Sequence, residues 1–306
     1  MNAILLDAGA PETTRPLTCT RPLATCQVAN QPLAAVQLAR LRQAGLTVAD
    51  VPAANGKLNL FQRGDAWISA GQLALLAMHP QPIALLANDG TPLAWTGHDI
   101  SATEPGTACL SGDAGSFVIR YPWDLLRINE ELIGALTTDD IQGELSPHAH
   151  VEGLLVLGHK SRVLPGVFIE GHVVIGARCK IGPNCYLRGA TAIGNDCHIG
   201  QSVEIKNSII MAHTSVGHLS YVGDSILGEK VNFGAGTITA NLRHDGRNHY
   251  SSINVNLVDT GRRKLGVIAG DGVHTGIHTS LYPGRKLWPG VSTRPGEIVA
   301  RDLAGN

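Results

Sequence analysis

VEGLLVLGHKSRVLPGVFIEGHVVIGARCKIGPNCYLRGATAIGNDCHIGQSVEIKNSIIM, residues 151–211, carries an aliphatic side chain at every sixth place. The steps are Val151, Leu157, Val163, Ile169, Ile175, Ile181, Leu187, Ile193, Ile199, Ile205 and Met211. At the ordinary frequency of such residues, roughly a quarter to a third, an unbroken run of this length does not arise by chance. Glycine follows directly at 158, 176, 182, 194 and 200, where it is expected to permit a tight corner. Four places after the aliphatic stand small or β-branched residues: Ser161, Val167, Val173, Cys179, Cys185, Thr191, Cys197, Val203 and Ile209. A six-residue period matches neither a 3.6-residue helix nor the two-residue alternation of a hairpin. It matches a parallel β-helix in which each hexapeptide makes one short strand and a turn, three to a triangular coil. The phase slips at Val216, Val222 and Leu227 and resumes at Phe233, which marks irregular coils or a loop leaving the helix.

Working outward, the chain has 306 residues, a net charge of −1, 36 glycines and only 4 % aromatics. A core with few rings must be built from regularly placed aliphatics, as the ruler shows. The balanced charge gives no global field to recruit nucleic acid or an acidic membrane. There is no run of about 18 apolar residues and no basic N-terminal region, so a soluble cytoplasmic protein is expected. The six cysteines form no CxxC pair, and Cys179, Cys185 and Cys197 share the inward register, which predicts stacked core residues rather than reactive thiols.

Residues 1–136 read as an α/β domain: a strand over Ala3–Leu6, a helix over Pro32–Gly45, a helix in GQLALLAMH, a strand in PIALLAN, a strand over Ser116–Tyr121 and a helix in PWDLLRINEELIGAL. Residues 137–150 are polar and helix-breaking and read as a linker. Residues 151–306 form the β-helix, and 240–266, which leave the register and carry many charges, read as an extruded loop. Long loops on rigid scaffolds are where function concentrates.

The stretch IKNSIIMAHTSVGHLSYVGDSILGEKVNFGAGTITANLRHDG places His, Tyr, Asn, Lys and Arg on a scaffold of aliphatics and glycine. His218 sits where the ruler slips, suited by its chemistry to deprotonate an amine or hydroxyl near neutral pH; the alternative is a surface histidine at a kink. The run GHLSYVGD…VNFGAGTITANLRHDG…DTGRRKLG…IAGDGVHTG, over roughly 150–290, resembles the acetyltransferase half of the bifunctional sugar-1-phosphate nucleotidylyltransferase/acetyltransferases. These include the N-acetylglucosamine-1-phosphate uridylyltransferase/glucosamine-1-phosphate acetyltransferases, and the motifs are similar to the archaeal branch. The resemblance implies a left-handed parallel β-helix, a homotrimer, and acetyl-CoA as acyl donor to an amino-sugar phosphate or nucleotide amino sugar, with no metal required.

By that resemblance His218 is the general base and Asn241, with backbone amides, lies near the tetrahedral oxyanion. Arg188 and Lys206 hold sugar and phosphate, Tyr221 and Asn232 contact the sugar, and Ala235, Arg247 and Ile277 lie along the cofactor. The spacing of eighteen between Arg188 and Lys206 independently stacks them one coil apart on one face. Without the resemblance both read equally as solvated charges, and Tyr221 and Asn232 as wall residues. Two departures stand out: Arg247 and Tyr250 occupy places where relatives carry lysine.

Within the same fold, His172, His213 and His218 also permit a zinc reading of the γ-carbonic-anhydrase type, and a non-catalytic trimeric scaffold is the third possibility. The N-terminal segment LLDAGAPETTRPLTCTRPL keeps the frame of a nucleotidylyltransferase (Rossmann-type) phosphate loop. Pro11, however, has no N–H to offer a phosphate, Thr13 stands for the expected arginine, Glu12 adds a repelling charge and Leu23 replaces a lysine. Asp89 in ANDG reads as a metal carboxylate or, better, a turn aspartate. The expectation is a truncated N-terminal domain without nucleotidyl transfer, the active alternative remaining open.

Overall fold

The six-residue stride becomes three parallel sheets that form the sides of a β-helix. In the computed structural model, which describes residues 1–53, 57–100 and 107–305, the first side has eight strands, from Asp140–Ile141 to Lys286–Leu287. The second side has seven, from Glu144–Leu145 to His274–Thr275, and the third has eight, from His150–Glu152 to Ile298–Val299. The whole is a solenoid of the left-handed β-helix kind. Inward ladders run Val151–Ile169–Leu187–Ile205 on the third side and Val163–Ile181–Ile199 on the second. Apart from half-buried Val151 at its end, these aliphatics form one continuous buried column, each fully buried side chain contributing about 1.5–3 kcal/mol of hydrophobic stabilisation. Cys179, Cys185 and Cys197 lie in that column, and burial pushes the Cys185 thiol up to about 11.

Two details of the ruler differ from expectation. Ile193 pairs with Ile210, so Met211 is buried but is not the ladder residue. The corner after Glu204–Lys206 passes through Asn207 at φ 46° and is one residue shorter than the corner after Tyr186–Arg188. The following rungs inherit that loss: Ile199 pairs with Val216 and Ile205 with Val222. The glycines at 158, 176 and 194 also serve differently. Left-handed backbone is carried two residues later by Lys160, Arg178 and Asp196, whereas a Cβ on those glycines would run into the backbone of the next coil. They are there for close stacking.

Residues 140–145, expected within a linker, are the first rungs: Asp140–Ile141 pairs with the strand at 155–157 and Glu144–Leu145 with that at 162–163. Their polarity reflects an exposed first coil rather than a flexible connection. The division of the chain is also discontinuous. One compact unit is Met1–Pro11, Pro22–Cys26 and Gln31–Arg120; the other adds Glu12–Arg21 and Gln27–Asn30 to Tyr121–Asn306.

The first unit holds a six-stranded sheet made of β1 (Asn2–Leu6), β2 (Thr47–Val48), β3 (Asn59–Arg63), β4 (Ile83–Leu86), β5 (Pro92–Gly97) and β6 (Ala108–Ser111). Their order is β2-β1-β3-β5-β4-β6. The sheet is mixed, because the short connection from β4 to β5 admits only an antiparallel hairpin. Two helices accompany it, α1 (Leu33–Gln43) and α2 (Ala70–Met78), the latter capped by Ser69, which accepts from the Gln72 amide at 3.3 Å. In the second unit α3 (Asp124–Gly134) covers the first side of the β-helix: Ile133 is buried with Val174 and Ala192, and Asn129 donates to the Ala190 carbonyl at 2.8 Å.

Thr20 and Arg21, from the TRP remnant of the phosphate-type loop, are also part of this second unit. Arg21 donates to Glu229 Oε1 at 2.8 Å and to Asp271 Oδ2 at 2.5 Å, and Thr20 donates to the same Asp271 oxygen at 2.6 Å. The guanidinium therefore pins the loop to two successive coils. Replacing it by Arg21→Met leaves two carboxylates facing each other. Urea denaturation of the variant is expected to show a loss of about 2 kcal/mol; an unchanged midpoint would mean the clasp is not stabilising.

Candidate active site

His218 ends the strand Ser215–His218, at the corner where the second side turns into the third. The one-residue loss in the coil register pairs it with Gln201. At this corner the coils are tied by amide-to-carbonyl bonds: Leu219 to Gln201 at 3.0 Å, Gly236 to His218 at 3.0 Å, His278 to Ala235 at 2.8 Å and Gly296 to Ile277 at 2.8 Å. Gln201, His218, Ala235 and Ile277 thus rise in a single stack. Three residues chosen from sequence for base and cofactor roles fall on one edge. The His218 imidazole is exposed and makes no hydrogen bond among the described residues. On the neighbouring rung, burial and then the charges of Lys180 and His218 push the His198 imidazole below its usual value.

The third side carries the polar cluster. Arg188 and Lys206 are register partners, as their spacing predicts. Each is paired with a carboxylate: Arg188 with Glu204 at 2.7–2.8 Å and Lys206 with both oxygens of Asp224 at 2.8 and 3.1 Å. Tyr221 lies in register with Glu204. Asn241 Nδ2 donates to the Tyr221 hydroxyl at 2.9 Å and to Asp224 Oδ2 at 2.6 Å. Asn207 Nδ2 donates to Asp224 Oδ1 at 3.0 Å and to Glu130 Oε1 at 2.7 Å, and Arg262 pairs with Glu130. Burial, with Asp224 and Glu204 nearby, raises the Tyr221 hydroxyl above its ordinary range, so it stays protonated at neutral pH.

Asn241 was expected to donate to an oxyanion. Both hydrogens of its Nδ2 are committed to Asp224 and Tyr221, so its free group is the acceptor Oδ1. The Ala235 amide, in the stack with His218, makes no hydrogen bond among the described residues. Asn232 is not in the third-side cluster: it is an exposed residue of the second side, between Ser215 and His274. Arg247 is an exposed loop residue whose amide donates to Asp245 at 3.1 Å. Arg243 and that amide hold the Asp245 carboxyl well below the usual range. Ala240, Leu242, Arg243, His244, Asp245, Tyr282 and Pro283 line an open cleft of about 500 Å³.

The three histidines of the zinc reading occupy three different corners of the solenoid, with His172 in the third-to-first turn, His213 in the first-to-second and His218 in the second-to-third. They do not converge within one chain. Among the described residues no group of three or more His, Cys, Asp or Glu is placed to hold a metal ion. Asp89 is a turn residue, its Oδ1 accepting from the Thr91 amide at 3.1 Å while Arg120 pairs with Oδ2.

Sequence reasoning missed Glu204, Asp224, Asn207, Glu130 and His249. Asp224 and Glu204 lie inside quoted motifs, but their signal is pairing distance in the coil, visible only once the register is known. His249, almost fully buried, faces the Asn241 carbonyl through Nε2 at 2.9 Å, which the Leu265 amide also reaches at 3.0 Å. The Asn241 carbonyl therefore joins both ends of the extruded loop, with His249 seated on it, and the loop's hairpin pairs Tyr250–Ile253 with Asn256–Asp259.

Residues 169–279 match the family described as the GMPPB C-terminal domain. A bifunctional sugar-1-phosphate nucleotidylyltransferase/acetyltransferase of Sulfurisphaera tokodaii is 38 % identical over 185 residues, covering 60 % of this chain and 46 % of that protein. The bifunctional protein GlmU of Methanocaldococcus jannaschii is 42 % identical over 189 residues, covering 60 % and 45 %. The resemblance read from the motifs therefore holds over the C-terminal region. The chain spans about half the length of the curated relatives it matches. Among solved structures, the polysialic acid O-acetyltransferase OatWY aligns over 55 % of this chain and 82 % of that one, at 16 % identity and a TM-score of 0.26. Among the described residues no helix is long and apolar enough to cross a membrane.

Burial holds the His249 imidazole below its usual value. The unfolded segment then binds more protons than the folded one, so the stability from this group is lost as pH falls below about 6.5. Hydrogen exchange across residues 240–266 is expected to accelerate on going from about pH 7.5 to about pH 5.5, beyond the intrinsic pH effect on exchange. His249→Gln should flatten that excess; an identical response in the variant would contradict the assignment.

Proposed function

We propose that the β-helix unit is an acetyl-CoA-dependent N-acetyltransferase acting on an amino-sugar phosphate, such as glucosamine-1-phosphate or galactosamine-1-phosphate, or on a nucleotide amino sugar. The observation that carries this reading is the stacking of His218, Ala235 and Ile277 on one corner, next to the side that holds Arg188, Lys206, Tyr221 and Asn241. The names of the two relatives agree with it.

In this reading the pantetheine arm runs along the corner past Ile277 and Ala235 and brings the thioester to His218. The substrate amine attacks the thioester carbon, and His218 accepts the amine proton as the C–N bond forms. The Ala235 amide is the corner donor for the oxyanion. Collapse breaks the C–S bond and the proton passes to the departing thiolate. Arg188 and Lys206 approach the sugar phosphate as ion-paired rather than bare cations, which favours geometry over raw charge. Arg247 and the cleft beside Asp245 would serve the distal part of the cofactor, and Asn232 would reach the sugar from a neighbouring subunit. Exposed Leu219 and Ile277 beside His218 supply apolar surface for such a neighbour, supporting a homotrimer. Dependence on acetyl-CoA would place the reaction in the cytoplasm, and the N-terminal unit would be inactive in nucleotidyl transfer.

Thiol release from acetyl-CoA with a panel of amino-sugar phosphates and nucleotide amino sugars tests the reading. Turnover that falls about 10²–10⁴-fold in His218→Ala, with Arg188→Ala raising the acceptor KM, is expected. No turnover with any acceptor would favour a scaffold, and stoichiometric zinc at His218 would favour the metal reading. The same protein is expected to exchange no pyrophosphate into sugar nucleotides.

A further inference from the structure

Asp224 is the most enclosed charged group of the third-side cluster, with a side chain 3 % exposed. Its two oxygens receive Lys206, Asn207 and Asn241. A carboxylate only accepts hydrogen bonds. Asn241, 2.6 Å away, must therefore turn its NH₂ end toward Asp224 Oδ2; the reversed amide would set two oxygens against each other. The second Nδ2 hydrogen goes to the Tyr221 oxygen at 2.9 Å. That oxygen acts as acceptor, which leaves the phenolic hydrogen for something else.

We propose that Asp224 sets the hydrogen-bond polarity of the acceptor pocket, so that a bound amino sugar meets an acceptor at Asn241 Oδ1 and a donor at the Tyr221 hydroxyl. Asp224 is a positioning residue in this scheme and touches no reacting atom. It is itself held from α3, because Asn207 bridges Asp224 to Glu130 and Glu130 is gripped by Arg262 of the extruded loop. The return of that loop is tied to the same point, the Gly266 amide donating to the Asp224 carbonyl at 2.8 Å.

The consequence rests on the acetyl-transfer reading. A neutral amine has two N–H bonds and one lone pair. With one N–H given to Asn241 Oδ1, the amine is held with its lone pair free for the thioester. An amide turned the other way would instead donate into that lone pair and hold the nucleophile unreactive. The Tyr221 hydrogen serves a sugar oxygen.

The test is steady-state kinetics of Asp224→Asn and Tyr221→Phe with the best acceptor, alongside thermal unfolding. Asp224→Asn lets the Asn241 amide reverse. Its kcat/KM for the acceptor is expected to fall at least tenfold through both kcat and KM, while the KM for acetyl-CoA stays within twofold. Tyr221→Phe keeps the packing and is expected to raise the acceptor KM about tenfold. Acceptor kcat/KM within twofold of the parent in both variants would overturn the proposal. If Asp224→Asn does not fold, Tyr221→Phe decides alone.

If the parent protein acetylates nothing, the acetyl-transfer reading fails separately. The polarity is then read from asparagine-labelled ¹⁵N spectra, with the Asn241 side-chain signal identified by its loss in Asn241→Asp. Two slowly exchanging amide protons support the arrangement, and rapid exchange of both contradicts it.

Discussion

Every feature of the second unit depends on one constraint: each coil must bond its backbone to the next while keeping an aliphatic residue pointed inward. The amides and carbonyls of successive coils pair with one another, and an unpaired buried group costs as much as a lost hydrogen bond. Stacking distance is therefore fixed, which is why glycine occupies the places where a Cβ would meet the coil above. A residue can be lost from the path only at a corner. The shortened turn at Asn207 is such a loss, and the stack of His218 on Gln201 follows from it. The scaffold irregularity and the placing of His218 are the same event.

On this frame, charge is arranged in pairs. Arg188, Lys206 and Arg262 face Glu204, Asp224 and Glu130. Such pairs are costly to desolvate and contribute modestly to stability, so their value lies in orientation. An anionic ligand approaching Arg188 and Lys206 meets guanidinium and ammonium groups whose direction is already set and whose field is partly cancelled by their carboxylates. Selectivity in such a pocket comes from hydrogen-bond direction more than from attraction at a distance. The extruded loop joins this arrangement because both its ends close on the cluster, at Asn241 and at Gly266.

Much of the β-helix was legible in the sequence because a period of six leaves an aliphatic trace that no other architecture produces. The spacing of eighteen between Arg188 and Lys206 puts them on one side, and the register agrees. Met211 falls off the ladder because a ruler of constant stride cannot follow a corner that loses one residue. The first coil reads as a linker because its rungs, Asp140–Ile141 and Glu144–Leu145, each carry a single aliphatic residue among polar neighbours, and both aliphatics are exposed. The polarity of Asn241 was beyond sequence, since it depends on Asp224, a neighbour seventeen residues earlier in the chain. Residues 12–21 keep the frame of a phosphate loop yet belong to the second unit, where Thr20 and Arg21 are spent on Glu229 and Asp271. Motif reading identifies ancestry in such a segment; only the partners reveal its present use.

The central claim is that the corner stack of Gln201, His218, Ala235 and Ile277 is the path of an acyl-CoA. A crystal structure of the full chain grown with acetyl-CoA tests it most directly. The account predicts the pantetheine arm lying along Ile277 and Ala235 with the thioester beside the His218 imidazole. Acetyl-CoA bound away from that corner, or no binding at all, would contradict it.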